Sequence, residues 1–166
     1  WVGQCRECGA WGTVDQAGEV TGGARTAAAT PRRPALPIGE VDVERASSRS
    51  TGVGELDRVL GGGIVPGAVI LLAGEPGVGK STLLLDVAAK AARTAAAGGR
   101  GPVLYVTGEE SAAQVRGRAE RIGALEPNLL IADETELGVV LGHVEASRPS
   151  LLIVDSVQTI SSSQVE

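Results

Sequence analysis

Gly74-Glu75-Pro76-Gly77-Val78-Gly79-Lys80-Ser81 is a full match to the pattern G-x-x-x-x-G-K-[ST]. Glycine at 74, 77 and 79 lets the backbone take conformations closed to other residues and turn successive N–H groups inward, where they can cradle phosphate oxygens. Lys80 supplies a point charge for the outer phosphates. The Ser81 hydroxyl, beside Thr82, is of the type that ligates Mg2+. The chemistry expected of residues 74–82 is therefore the binding of a nucleoside triphosphate with Mg2+. Glycine-rich turns also join strands to helices without binding anything. Here the complete pattern lies between an apolar run and a helical one, so that a helix amino end would face the phosphates.

Two acidic positions could complete such a site. Asp155 follows Leu151-Leu152-Ile153-Val154, an apolar run of strand texture. A carboxylate at that place either helps hold Mg2+, directly or through water, or caps a turn. Glu109 and Glu110 follow Leu104-Tyr105-Val106-Thr107-Gly108 in the same way. One of them could orient or deprotonate a water attacking the γ-phosphate, and the other reading is a solvated acid at the start of a helix. Glu109 is the preferred base and Glu110 the alternative.

Cys5 and Cys8 have the spacing that puts two thiolates on one metal ion, with Gly9 just past them. A structural Zn2+ takes four ligands, and the chain has no other Cys. The pair is read as part of a zinc knuckle. Two inert thiols, or a redox pair lacking the helix such a pair wants, are the other readings. His143 is the only histidine and falls in an expected helix far along the chain; no role is assigned to it.

The elements that must position these residues follow from hydrophobic spacing. Residues 1–15 are dense in Cys, Trp and Gly, and 16–49 read as a linker, with Pro31, Pro34 and Pro37 favouring an extended path. From residue 50 the texture becomes that of an α/β core. A helix is expected over Val53–Leu60, a buried strand over Ala68–Ala73 and a helix over Ser81–Ala97 with Leu84, Val87, Ala88, Ala91 and Ala95 as its apolar stripe. Then come a strand over Val103–Val106, a helix from the Ser111-to-Gln114 capping box to about Ile122, a strand over Leu129–Ala132, a helix over Glu136–Ala146 and a strand over Leu151–Val154. Strands alternating with helices predict a parallel sheet with flanking helices. The carboxyl ends of such strands share one edge, where the loop at 74–82, Glu109 and Asp155 would converge.

Composition narrows the function classes. At 166 residues the chain is long enough for one domain with a real core, and 43% hydrophobic with 21% charged residues is ordinary for a globular protein. A net charge of −5 presents no broad cationic surface for nucleic acid or anionic membrane, although a small basic loop is compatible with it. The longest apolar stretch, Ile64 to Ala73, is broken by Pro66 and Gly67 and falls short of a membrane span. Neither is the amino end a signal peptide. A close cysteine pair without export signals points to a reducing compartment, so the expected localisation is cytoplasmic.

Taken together, these residues resemble the bacterial RadA (Sms) family of DNA-repair and recombination ATPases. Trp1 to Thr13 is similar to the second half of that family's four-cysteine zinc motif. Ser50 to Gly67 resembles the approach to its RecA-like core, which continues into the loop at Gly74 to Thr82. Tyr105-Val-Thr-Gly-Glu-Glu-Ser111 is similar to the stretch carrying its catalytic glutamate, which assigns that role to Glu109. Leu152-Ile-Val-Asp-Ser-Val-Gln-Thr159 is similar to its Mg2+-side strand, which assigns the metal role to Asp155.

The resemblance implies a P-loop RecA-like α/β fold, ATP with Mg2+ as the nucleotide, and Zn2+ in a longer parent protein of which this is an amino-terminal piece. It implies single-stranded DNA and recombination intermediates as partners, ATP-driven branch migration as the activity, a homo-hexamer as the assembly and no membrane. Competing readings are another RecA-type or clock-protein-like P-loop ATPase, and a nucleotide-gated binding module with little turnover.

Overall fold

Three five-residue runs rich in aliphatic side chains form a parallel sheet: β1 (Val103–Thr107), β2 (Leu129–Asp133) and β3 (Leu151–Asp155), in the order β2-β1-β3. The structure is a computed structural model that describes residue 30, residues 34–40 and residues 47–162. The Cys5 and Cys8 pair and most of the expected linker lie outside the described residues. The chain divides into two units, Trp1–Val41 and Asp42–Glu166; the described part of the first carries a single 3-10 turn, Ile38–Glu40.

Register sets the two faces of the sheet. Val103, Tyr105 and Thr107 pair with Leu129, Ile131 and Asp133 on one side and with Leu151, Ile153 and Asp155 on the other. Because side chains alternate along a strand, all of these share one face. That face packs against α2 (Lys80–Ala97) and α3 (Ala112–Arg121) through a cluster that includes Leu85, Ala88, Ala92, Val103, Tyr105, Val115 and Ile153. The opposite face, with Leu104, Val106, Ala132 and Val154, packs against Val140 and Val144 of α4 (Leu137–Ser147). Burying each such aliphatic side chain contributes about 2 kcal/mol before entropy is subtracted.

The helices start and stop where local chemistry dictates. Ser111 and Gln114 form the reciprocal capping box that opens α3, and Asp133 Oδ2 accepts a further hydrogen bond from Ala112 N at 3.3 Å. Glu136 caps α4 by accepting from Val139 N. A short helix, α1 (Gly54–Val59), is tied back by Asp57, whose carboxylate accepts from Ser50 Oγ at 2.6 Å and from Thr51 N and Oγ1, each at 2.7 Å. These bonds hold the Asp57 carboxyl below the ordinary carboxylate range. α2 buries Leu85, Ala89 and Ala92 as well as the expected Val87, Ala88 and Ala95, while Leu84 and Ala91 are partly buried beside them.

One expected strand differs. Residues 68–73 run as unpaired chain, and Val69 is 99% exposed. An apolar run becomes a strand only where a neighbouring ladder accepts its backbone. Among the described residues the outer edge of β3 carries no partner strand, so this run has the composition of a buried strand without the burial.

Candidate functional site

The glycine-rich loop occupies residues 74–79 and passes directly into α2. Gly77 and Gly79 have φ of 81° and 92°, left-handed conformations that L side chains rarely adopt; the pattern itself demands glycine at 79, and at 77 the backbone does. Gly79 is the N-cap of α2 and makes no side-chain cap hydrogen bond. The first-turn N–H groups at Lys80, Ser81 and Thr82 are thus left without a side-chain cap, at the positive end of an 18-residue helix. An anion is what such an end fits. Lys80 folds over its own loop, with Nζ donating to Gly74 O at 2.8 Å and to Glu75 O at 2.7 Å. Pro76 and Val78 complete the turn.

Contacts along α2 fix its direction. Near its carboxyl end, Ala92 O accepts from Asn128 Nδ2 at 3.5 Å, and Arg93 pairs with Glu126; both partners immediately precede β2. Leu85, nearer its amino end, packs with Tyr105 and Ile153. The helix therefore runs antiparallel to the strands, and its amino end points toward their carboxyl edge.

That edge carries the acids. Thr107 lies in register between Asp133 and Asp155, three strand ends in one row. Asp155 Oδ2 accepts a hydrogen bond from the Tyr105 hydroxyl at 2.6 Å, while Oδ1 receives none among the described residues. Burial first, and the Asp155 carboxylate second, push the Tyr105 hydroxyl well above its ordinary pKa, so it stays a donor. Ser81 Oγ, like Asp155 Oδ1, has no hydrogen bond among the described residues, which leaves two oxygen donors of the hard type that Mg2+ prefers.

The two neighbouring glutamates are treated differently. Glu109 is exposed, and its Oε1 accepts a hydrogen bond from Ser156 Oγ at 2.7 Å. Glu110 is ion-paired to Arg118 of α3, and its backbone is pinned by Thr107, whose Oγ1 donates to Glu110 O at 2.9 Å and accepts from Glu110 N at 3.2 Å. One carboxylate is held by a neutral hydroxyl and the other is neutralised by a guanidinium. Only the first is exposed and has no cation bonded to it among the described residues.

Beyond β3 the chain doubles back across the same edge. Ser161 forms a parallel bridge with Glu136, and Ser161 N donates to Thr135 O at 2.8 Å. The returning segment presses on Gly108, where a Cβ would lie 2.0 Å from Thr159 Oγ1, so glycine is required immediately before the glutamates. His143 stands 3.5 Å from Glu134, whose backbone N donates to Thr107 O at 3.0 Å, and it makes no hydrogen bond to Glu109, Glu110 or Asp155. Sequence reasoning missed Tyr105, Ser156 and Arg118.

A sequence profile described as AAA domain matches residues 33–166. The chain is 50% identical to the DNA repair protein RadA of Mycolicibacterium smegmatis over its whole length, covering 36% of that protein. It is 52% identical to RadA of Mycobacterium tuberculosis, again over the whole chain and 34% of the relative. RadA of Aquifex aeolicus is 42% identical, with 100% of this chain and 36% of the relative covered. The chain thus spans about a third of the length of the curated relatives it matches. With a glycine-rich phosphate loop opening a helix onto the carboxyl edge of a parallel sheet, and a profile match over most of its residues, the chain belongs to the AAA domain family of P-loop proteins.

Proposed function

We propose that this chain is the nucleotide-binding part of a DNA-repair ATPase. The observation that carries the proposal is the uncapped amino end of α2, entered through two left-handed glycines and aimed at the edge that holds Glu109 and Asp155. In this reading residues 74–82 wrap the phosphates with backbone N–H groups. Lys80 exchanges the carbonyls of its own loop for β- and γ-phosphate oxygens. Glu109 accepts a proton from the water attacking the γ-phosphorus, and the bond from that phosphorus to the bridging oxygen breaks to release ADP and phosphate. Ser81 and Asp155 would hold Mg2+, which when bound supplies neutralising charge to the phosphates.

The likeness to RadA relatives supports a role in DNA repair for the whole protein. Its finer content is also part of the proposal: hydrolysis stimulated by single-stranded DNA, branch migration of recombination intermediates, a homo-hexameric ring and a cytoplasmic location. Cys5 and Cys8 are proposed as two of four Zn2+ ligands. No helix among the described residues is long and apolar enough to cross a membrane.

The test is ATP hydrolysis by the full-length protein, with and without single-stranded DNA, for wild type and Lys80→Ala. The proposal expects DNA to raise the wild-type rate and Lys80→Ala to lose at least about a hundredfold. Equal rates for the two proteins would overturn it. Nucleotide binding without turnover in wild type would favour the gated binding module.

A further inference from the structure

Tyr105 is the one aromatic side chain among the described residues, and it is 1% exposed in the middle of the central strand. Phenylalanine would fill the same space beside Leu85, Val115 and Ile153 without bringing a polar atom into the core. What the hydroxyl adds is a single hydrogen bond, donated at 2.6 Å to Asp155 Oδ2.

Register explains how the two meet. Tyr105 pairs directly with Ile153, and Asp155 lies two residues further along the neighbouring strand, on the same face. Two residues of strand advance about 6.6 Å, which is within the reach of a tyrosine side chain leaning along the strand. The ring is clamped by the core, so the hydroxyl is a fixed donor at the strand ends. Asp155 is the last residue of its strand, where a carboxylate would otherwise rotate freely. A hydroxyl has one proton to give; with it committed to Oδ2, the carboxylate plane is set and Oδ1 remains available. Of the other acids at these strand ends, Glu110 is ion-paired with Arg118 and Asp133 accepts from Ala112 N at 3.3 Å, and the tyrosine hydroxyl bonds to neither.

We propose that Tyr105 is a positioning residue for the metal-side carboxylate, holding Asp155 through Oδ2 so that Oδ1 faces Mg2+ or its bound water. This rests on the reading of Asp155 as the Mg2+-side residue.

The test is equilibrium binding of a fluorescent ATP analogue to the full-length protein, titrated with Mg2+ and repeated in EDTA, for wild type, Tyr105→Phe, Asp155→Asn and the double variant. Tyr105→Phe is expected to need about tenfold more Mg2+ for half-saturation, the scale of one hydrogen bond to a charged group. Its affinity in EDTA should stay within about twofold of wild type, because the phosphate loop is untouched. In the Asp155→Asn background the tyrosine change should add nothing, as required if it acts through that carboxylate. An unchanged Mg2+ dependence in Tyr105→Phe, or an equal loss of affinity with Mg2+ and with EDTA, would make Tyr105 a packing residue and overturn the proposal. If Asp155→Asn itself binds Mg2+-nucleotide as wild type does, the reading of Asp155 falls, and the proposal with it.

Discussion

The two edges of the sheet are built from different materials. At the amino edge, backbone packs on backbone: a Cβ at Gly101 would sit 2.4 Å from Arg148 O, and Ser150 closes the seam through Oγ to Gly101 O at 2.8 Å and N to Pro102 O at 2.8 Å. At the carboxyl edge, side chains bond to side chains, Tyr105 to Asp155, Ser156 to Glu109 and Arg118 to Glu110. The first arrangement fixes how strand ends and connections meet. The second gathers acids and hydroxyls at the strand ends toward which the uncapped end of α2 points.

The sharpest way to break the contrast is to make one kind of substitution in both places. Gly101→Ala drives a methyl into a carbonyl and should cost about 3 kcal/mol in denaturant unfolding, with turnover per folded molecule unchanged. Gly79→Ala meets no atom within 4 Å and has only its left-handed φ to contend with; it should cost about 1 to 2 kcal/mol of stability while nucleotide affinity collapses. Arg118→Ala removes the partner of a half-buried carboxylate and should destabilise by about 1 to 2 kcal/mol, seen as a lower melting temperature. Ser111→Ala undoes the capping box of α3 for about 1 kcal/mol and should leave nucleotide binding intact. The smallest effect belongs to Asp57, which lies in neither edge. Its hydrogen bonds favour the ionised form, so its contribution is full above the unfolded pKa of about 4 and fades as pH falls through the lower folded value. The melting-temperature gap between wild type and Asp57→Asn should therefore be constant above about pH 5 and shrink below pH 4.

Contiguous features were legible in the sequence. The phosphate loop and the capping box each lie within a few residues and carry their geometry in their spacing, and the alternation of apolar runs gave the parallel α/β class. Ala68–Ala73 and Val103–Val106 have the same texture, yet only the second is a strand. A run of residues states what it would bury and is silent on which neighbour offers a ladder. The same limit applies within the site. The two neighbours Glu109 and Glu110 are alike in the sequence, and the physical difference between them comes from Ser156 and Arg118, 47 and 8 residues away from their partners. Tyr105 reads as an ordinary core aromatic until the strand register brings Asp155 onto its hydroxyl.

The proposed function makes the carboxyl edge a hydrolytic site in which Glu109, bonded to a neutral hydroxyl, is the base and the ion-paired Glu110 is structural. Single-turnover ATP hydrolysis by Glu109→Gln and Glu110→Gln, with nucleotide binding measured alongside, tests it directly. The account predicts that Glu109→Gln binds nucleotide normally and loses about a hundredfold or more in rate, while Glu110→Gln lowers the melting temperature and keeps most of its rate. Normal hydrolysis by Glu109→Gln together with its loss in Glu110→Gln would contradict the account.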